Sequence, residues 1–199
     1  MKKLNKRGFT LIELLAVIVI LAVLLAIAIP AVAKYINQSK KATFVENAQS
    51  YAKAARSEAL LGSFEFPINN HDAVVVSFKN LEDALENGGI KSSYGGTFDA
   101  NQSFVVIVNA GTPEAPKNEY YIAACDSKGY GIGLDQSGTL SAAAIAYDDL
   151  KETNILQLGL NGTSCKGIAK PTQSDSLQTI NGIPYQVRVT NSIAIPNSN

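Results

Sequence analysis

The chain has 199 residues, 46% of them apolar, enough to form the core of one domain of ordinary size with an additional segment. Basic and acidic residues both number 17, but four of the basic ones lie in the first eight positions. Without those eight residues the chain is mildly acidic, which argues against strong nucleic-acid binding because such binding depends on clustered Lys and Arg side chains.

A long apolar segment follows the basic N-terminus. Residues 14–33 contain no charged or strongly polar side chain, and the apolar character begins at Phe9, interrupted by Thr10 and Glu13. As a helix, residues 9–33 would measure roughly 37 Å, which exceeds the hydrocarbon thickness of a bilayer of about 30 Å. The segment can therefore span a membrane, and the basic residues before it predict a cytoplasmic N-terminus.

Two ordinary kinds of export segment fit part of this pattern. A secretory signal peptide would end at Ala31-Val32-Ala33, and a plain signal anchor would hold an extracellular domain on the membrane. The apolar stretch is longer than the usual signal-peptide core of about 7 to 15 residues. Neither segment gives a reason for Glu13, whose ionised side chain is costly in lipid.

The stretch KRGFTLIEL at residues 6–14 supplies a reason for this acid. It resembles the processing signal of type IV prepilins, in which a short basic leader ends in Gly8, Phe9 follows, and an acid stands at the fifth mature position. Pro30, at the twenty-second mature position, also matches, and the resemblance covers the first fifty or so residues. It implies that a membrane-embedded prepilin peptidase cuts between Gly8 and Phe9 and N-methylates the new terminus.

The resemblance also implies a role for Glu13 in the registry of subunits. The new amine of Phe9 lies at about the same depth and could neutralise the carboxylate within one subunit. The resemblance favours instead the amine of a neighbour displaced by one or two helical turns, and a buried charge pair of this kind sets register. The alternative is that Glu13 only extends to the membrane interface.

The next segment, residues 34–62, predicts an amphipathic helix that continues the first. Gly62 is a plausible C-terminal cap, and Pro30 predicts a kink because it removes one backbone hydrogen bond. Apolar residues recur at spacings of three and four at Phe44, Ala48, Tyr51, Ala52, Ala55 and Ala59.

The remaining chain, residues 63–199, predicts a mixed globular head. Residues 64–71 are predicted to form an irregular connection, and the final residues a loose end. Short helices are predicted at residues 81–86, just before the turn Asn87-Gly88-Gly89, and at residues 141–151. Strands are predicted at residues 104–109, 120–124, 130–134 and 185–190. We therefore predict an α+β fold, with a long N-terminal helix packed on an antiparallel sheet.

The titratable residues of this part indicate no catalytic site. Cys125 and Cys165 are the only cysteines, and the chain has a single histidine. This composition does not favour a zinc site, which usually needs four closely spaced Cys or His ligands. An extracellular head permits a disulfide between the two, although their spacing does not establish it. Asp148 and Asp149 are consecutive and are interpreted as a solvated face. No cofactor, metal site or enzymatic activity is expected.

The domain organisation follows from these segments. We predict a leader at residues 1–8, a membrane and filament-core helix at 9–33, an amphipathic helix at 34–62 and an extracellular head at 63–199.

The resemblance implies a pilin that polymerises into surface filaments for adhesion, aggregation or twitching motility. It implies as partners other pilin subunits, the peptidase, an assembly ATPase, a platform protein and, before assembly, the cytoplasmic membrane. Alternatives are a minor pilin or pseudopilin of a secretion or DNA-uptake machine, and a secreted or anchored binding domain.

Overall fold

The computed structural model describes most of the chain, and for residues 161, 164–165, 176–180 and 190 it describes the backbone alone. The described residues are 9–85, 89–112, 114–133, 144–157, 159–161, 164–165, 176–180 and 183–190. The predicted leader, the predicted turn at Asn87-Gly88 and the predicted loose C-terminal end lie outside these ranges. The chain divides into two compact units, Met1–Ser39 and Lys40–Asn199.

The second unit contains the sheet and the second half of the long helix. The helices are α1 (Leu11–Leu60) and the short α2 (Phe78–Leu81), with 3₁₀ turns at Tyr147–Asp149 and Glu152–Asn154. The strands are β1 (Asp72–Ser77), β2 (Phe104–Asn109), β3 (Asn118–Cys125), β4 (Tyr130–Ile132), β5 (Ile145–Ala146), β6 (Leu156–Gln157), β7 (Leu160–Asn161), β8 (Ser164–Cys165), β9 (Ser176–Ile180) and β10 (Ile183–Thr190).

The main sheet of the described residues runs in the order β6-β4-β3-β2-β1-β10-β9, and β5 adds to β3 beside β4. A separate hairpin pairs β7 with β8. The α+β fold class is confirmed, with one difference in the sheet. The predicted sheet is antiparallel throughout, whereas β1 and β10 pair in parallel, Asp72 opposite Gln186 and Val76 opposite Thr190. This pairing joins distant parts of the chain, so no hairpin turn signals it.

The core lies between α1 and one face of the sheet. On α1 the predicted apolar face is buried, including Phe44, Tyr51 and Ala55. It packs against alternate strand residues such as Val74 and Ile107 in a single cluster. The intervening residues of β1 and β2 belong to a second buried cluster, so both faces of these strands are covered and their sequences are continuously apolar.

Helix α1 ends as the sequence predicts. Gly62 has φ of +80°, a left-handed conformation that glycine adopts without steric cost. The Gly62 N–H donates to the Ala59 carbonyl at 3.2 Å, and the Ser63 N–H donates to the Glu58 carbonyl at 3.0 Å. These two bonds form a Schellman motif, which satisfies carbonyls that the end of the helix leaves free.

Two predicted helices are wrong in position or type. The helix predicted at 81–86 lies earlier, as α2, and Glu86 is outside the described ranges. The helix predicted at 141–151 is replaced by β5 and a 3₁₀ turn, with residues 141–143 undescribed. Ile145 and Ala146 pair with Ile122 and Tyr121 of β3. Pairing with an existing sheet therefore outweighs the helix propensity of this alanine-rich stretch.

Candidate functional site

The first turn of α1 holds Glu13 in a capping box. The Thr10 backbone N–H and its hydroxyl both donate to Glu13 Oε2, each at 2.8 Å. In return the Glu13 backbone N–H donates to Thr10 Oγ1 at 3.3 Å. The carbonyl of Thr10 accepts the first helical bond from Leu14. Thr10 is thus the N-cap and Glu13 the third helical residue, which is the arrangement that fixes where a helix begins.

The capping box leaves part of the carboxylate available. Both donated bonds from Thr10 reach Oε2, and within the described ranges no donor contacts Oε1. A carboxylate can accept several hydrogen bonds, so the cap does not exhaust the acceptor capacity of Glu13. The side chain can hold the start of its own helix and still bind a cation.

The side chains that follow on α1 form an uncovered apolar surface. Phe9 is 89% exposed, and the large apolar residues between Leu11 and Ile36 are exposed as well. The most apolar 18-residue window of α1 has a mean hydropathy of 3.2, and none of it is buried. A surface of this size is rare on soluble monomers and marks a site covered by lipid or protein. By length and composition, the helix can cross a membrane.

The other predicted site residues of this segment have different outcomes. Gly8 lies outside the described residues. Phe9 directly precedes the capping box, so the predicted cleavage point is at the start of α1. Pro30 lies inside α1, and the kink there stays a prediction. Thr10 was not predicted as part of this site, although Thr-x-x-Glu is a capping-box signature.

Comparison with protein families supports the resemblance of the N-terminal segment to prepilins. The prokaryotic N-terminal methylation motif matches residues 3–29, which include most of the predicted leader and most of the apolar segment. The N-terminal segment is that of a type IV pilin-like prepilin. Comparisons with curated proteins and with solved structures gave no match. The prepilin assignment therefore rests on this motif together with the α+β fold, and it indicates a structural subunit of the pilin or pseudopilin kind.

The globular head has one cysteine in its core. Cys125 is disulfide-bonded and fully buried at the end of β3. Its predicted partner, Cys165, ends β8, where only the backbone is described. The pairing of these two residues stays a prediction. Among the described residues, no group of three or more His, Cys, Asp or Glu could hold a metal ion.

We expect protease digestion without reductant to release one peptide pair that joins Cys125 to Cys165. Mass spectrometry before and after reduction measures this directly. The bond closes a loop of intermediate length, so Cys125→Ser should lower the free energy of unfolding by about 4 kcal/mol. Quantitative alkylation of both thiols in unreduced protein would contradict the pairing. The fully reduced wild-type chain lacks the bond but keeps Cys125, so it separates the loss of the disulfide from the effect of the substitution.

Proposed function

We propose that the chain is a pilin that polymerises through its N-terminal helix into a type IV pilus. The filament would serve adhesion, aggregation or twitching motility. The observation that carries this proposal is the bare apolar surface of α1, which begins at a methylation motif and a capped acid. In water such a helix must be covered, first by the membrane and then by other copies of the same helix.

Association of like helices leads to a filament if the contact does not close. A subunit displaced along its neighbour presents the same free surface to the next copy. Such a heterologous contact repeats into a helical fibre instead of a ring. The apolar side chains supply the contact, but they do not by themselves define the axial displacement between neighbouring subunits, because one apolar helix can slide along another.

Glu13 is the residue that we propose sets the displacement. Its free Oε1 would bind the terminal amine of Phe9 in a neighbouring subunit, while Oε2 keeps the capping box. Between Glu13 and Lys34 α1 contains no other charged residue. A single charged position in an apolar interface favours one register over its neighbours, because any other register leaves two charges unpaired in a medium of low polarity.

This function implies an order of events and a set of partners. The peptidase would remove residues 1–8 and methylate Phe9, leaving residues 9–33 in the membrane, 34–62 packed on the head, and 63–199 outside the cell. Removal of Lys2, Lys3, Lys6 and Arg7 would weaken the electrostatic hold of the cytoplasmic end, which eases withdrawal of the helix. An assembly ATPase and a platform protein would drive insertion into the filament.

The N-terminus of the mature protein tests this proposal. We expect intact-mass and N-terminal peptide analysis to show a chain that begins at Phe9 and carries one additional methyl group. Deletion of the host prepilin peptidase should leave the basic leader attached. A mature chain that begins at Lys34 would identify an ordinary signal peptide, and an uncleaved chain in the presence of the peptidase would identify a plain membrane anchor.

Abundance separates the pilin from its closest alternative. A major pilin dominates filaments sheared from the cell surface, whereas a minor pilin or pseudopilin of a secretion or DNA-uptake machine is present in few copies. Both share the methylated Phe9 start, so the first measurement does not distinguish them. Quantitative mass spectrometry of sheared filaments distinguishes them, and a trace amount of this chain beside another dominant subunit would contradict its proposed role as the pilin that builds the filament.

A further inference from the structure

A surface cleft of about 640 Å³ lies in the head between α1, the start of β3 and the Tyr147–Asp149 turn. We call it the helix–turn cleft. Its helix wall carries Lys53 and Arg56, its turn wall carries Asp148 and Asp149, and all four side chains are exposed. The volume suits a compact ligand of one or two rings.

The two cations on the helix wall are available to a ligand. Lys53 and Arg56 are three residues apart on α1 and therefore lie on the same face. Within the described part of the chain neither forms a salt bridge. The third cation of the cleft, Lys117, is already bound to Glu119 at 2.8 Å. An incoming carboxylate would thus meet two positive groups that form no salt bridge, one of them a guanidinium that can bind it through two parallel hydrogen bonds.

The floor of the cleft combines aromatic and amide groups. Tyr120 is half-buried; burial raises the pKa of its phenol, and the nearby Arg56 charge partly opposes this rise. The side-chain oxygen Oδ1 of Asn118 is buried and receives no hydrogen bond within the described ranges. Buried polar atoms are usually paired, so this oxygen is a candidate acceptor for a ligand. Because Oδ1 has no partner, the Asn118 amide can reorient towards a ligand without losing a bond at that atom.

The sheet edge at the cleft is too short to receive a peptide strand. The outer edge of β3 is paired with β5 at Tyr121 and Ile122 and with β4 at Ala124 and Cys125. This leaves three residues at the start of β3, whereas strand addition needs a longer row of free backbone groups. A compact polar ligand therefore fits the site better than an extended chain.

We propose that the helix–turn cleft binds a saccharide that carries a carboxylate, such as a uronic acid residue. The carboxylate would contact Arg56 and Lys53, and hydroxyl groups would donate to Asp148 or Asp149 and to Asn118. Tyr120 and Tyr147 offer aromatic surface with a polar edge, which suits a sugar ring that has apolar faces and a polar rim. This function adds ligand recognition to the proposed pilin and does not depend on assembly.

The test is calorimetric titration of the purified, unassembled full-length chain, in a detergent without a sugar headgroup. Methyl β-D-glucuronide is the probe, and methyl β-D-glucoside, which has a hydroxymethyl group in place of the carboxylate, is the matched ligand. We expect the glucuronide to bind about tenfold or more tightly than the glucoside, because a charge-assisted hydrogen bond is lost with the glucoside. Sodium acetate should not bind measurably, since it offers no ring or hydroxyl groups.

Matched protein variants locate the site. Arg56→Gln should weaken glucuronide binding by about tenfold or more. Arg188→Gln is the control, because it makes the same change on β10, outside the cleft. It removes only exposed contacts with Glu65, namely an ion pair with its carboxylate and a hydrogen bond to its backbone carbonyl. Both positions are exposed, so unaltered thermal unfolding verifies that each variant is folded.

Several outcomes would overturn the proposal. Equal binding of glucoside and glucuronide would remove the role of the carboxylate, and equal binding of acetate would reduce the cleft to a simple anion site. No binding of any probe, or equal loss in both variants, would contradict the site itself. If Arg56→Gln reduced filament yield while no probe bound the wild type, the cleft would be a contact between subunits instead. None of these results bears on whether Phe9 is exposed and methylated.

Discussion

Glu13→Ala is expected to insert into the membrane and to lose its leader normally, yet to lower filament yield by about tenfold or more. The leader and the cleavage point are unchanged, and the substitution makes the helix more apolar. Assembly suffers because the Phe9 amine of each neighbour is then left in the filament core without an anionic partner, and breaking a buried pair by removing one side is strongly destabilising. Sheared-filament mass relative to cellular prepilin measures the effect.

The capping box requires a pair of controls that separate its contribution from that of charge. Glu13→Gln keeps an oxygen that can accept from Thr10 but removes the negative charge. Thr10→Ala keeps the charge but removes the hydroxyl of the cap, a loss of about 1 kcal/mol of helix stability. We expect Glu13→Gln to fail in assembly and Thr10→Ala to assemble, with mass spectrometry verifying that each is cleaved. The reverse pattern would assign Glu13 to helix capping and contradict the pairing of subunits.

Tyr51→Ala is expected to lower the free energy of unfolding of the head by about 3 to 5 kcal/mol. Tyr51 is fully buried and stacks on Phe78, with ring centroids 3.7 Å apart, and its edge contact with Phe98 has a centroid distance of 5.8 Å. Its hydroxyl accepts the Ile90 backbone N–H at 3.0 Å, and burial raises the pKa of the phenol. Truncation therefore leaves a cavity and removes a hydrogen-bond acceptor at the same time.

Two further variants separate the contribution of the Tyr51 ring from that of its hydroxyl, and the effect of a buried tyrosine from that of an exposed one. Tyr51→Phe preserves the ring and should lose about 1 to 3 kcal/mol, because the Ile90 N–H is left without its acceptor. Tyr35→Ala removes the same side chain from a position of α1 that is 71% exposed, and should change stability by no more than about 0.5 kcal/mol. Urea unfolding followed by near-ultraviolet circular dichroism measures all three, since the chain has no tryptophan. Equal midpoints for Tyr51→Ala and Tyr35→Ala would contradict the central place of Tyr51 in the core.

The parts of the fold that the sequence predicted well have local causes. The α1 helix follows from apolar residues at spacings of three and four, and its end follows from Gly62, whose left-handed conformation costs other residues energy. Strand β2 matches its predicted bounds because a run of branched and aromatic residues between turn formers has few other solutions. These features depend on neighbours within one or two helical turns or along a single strand.

The parts that were missed depend on distant partners. Strand β1 was not predicted, because its apolar run lacks the alternation of a strand with one exposed face. Its neighbours β2 and β10 lie about 30 and 110 positions away along the chain. The helix expected at 141–151 failed for a related reason, since Ile145 and Ala146 are held by β3. In both cases the deciding hydrogen bonds join residues that are far apart in the sequence.

The candidate sites divide along the same line. The motif around Gly8, Phe9 and Glu13 was evident from the sequence, because charge, apolarity and spacing along a short linear segment are local properties. The helix–turn cleft was not evident, because Arg56 of α1, Asn118 of β3 and Asp148 of the 3₁₀ turn come together only when the chain folds. The amino-acid order by itself determined the N-terminal methylation motif and the long apolar helix of this protein. The tertiary structure alone decided which side chains of the head share a surface, since that proximity comes from packing between elements distant in sequence.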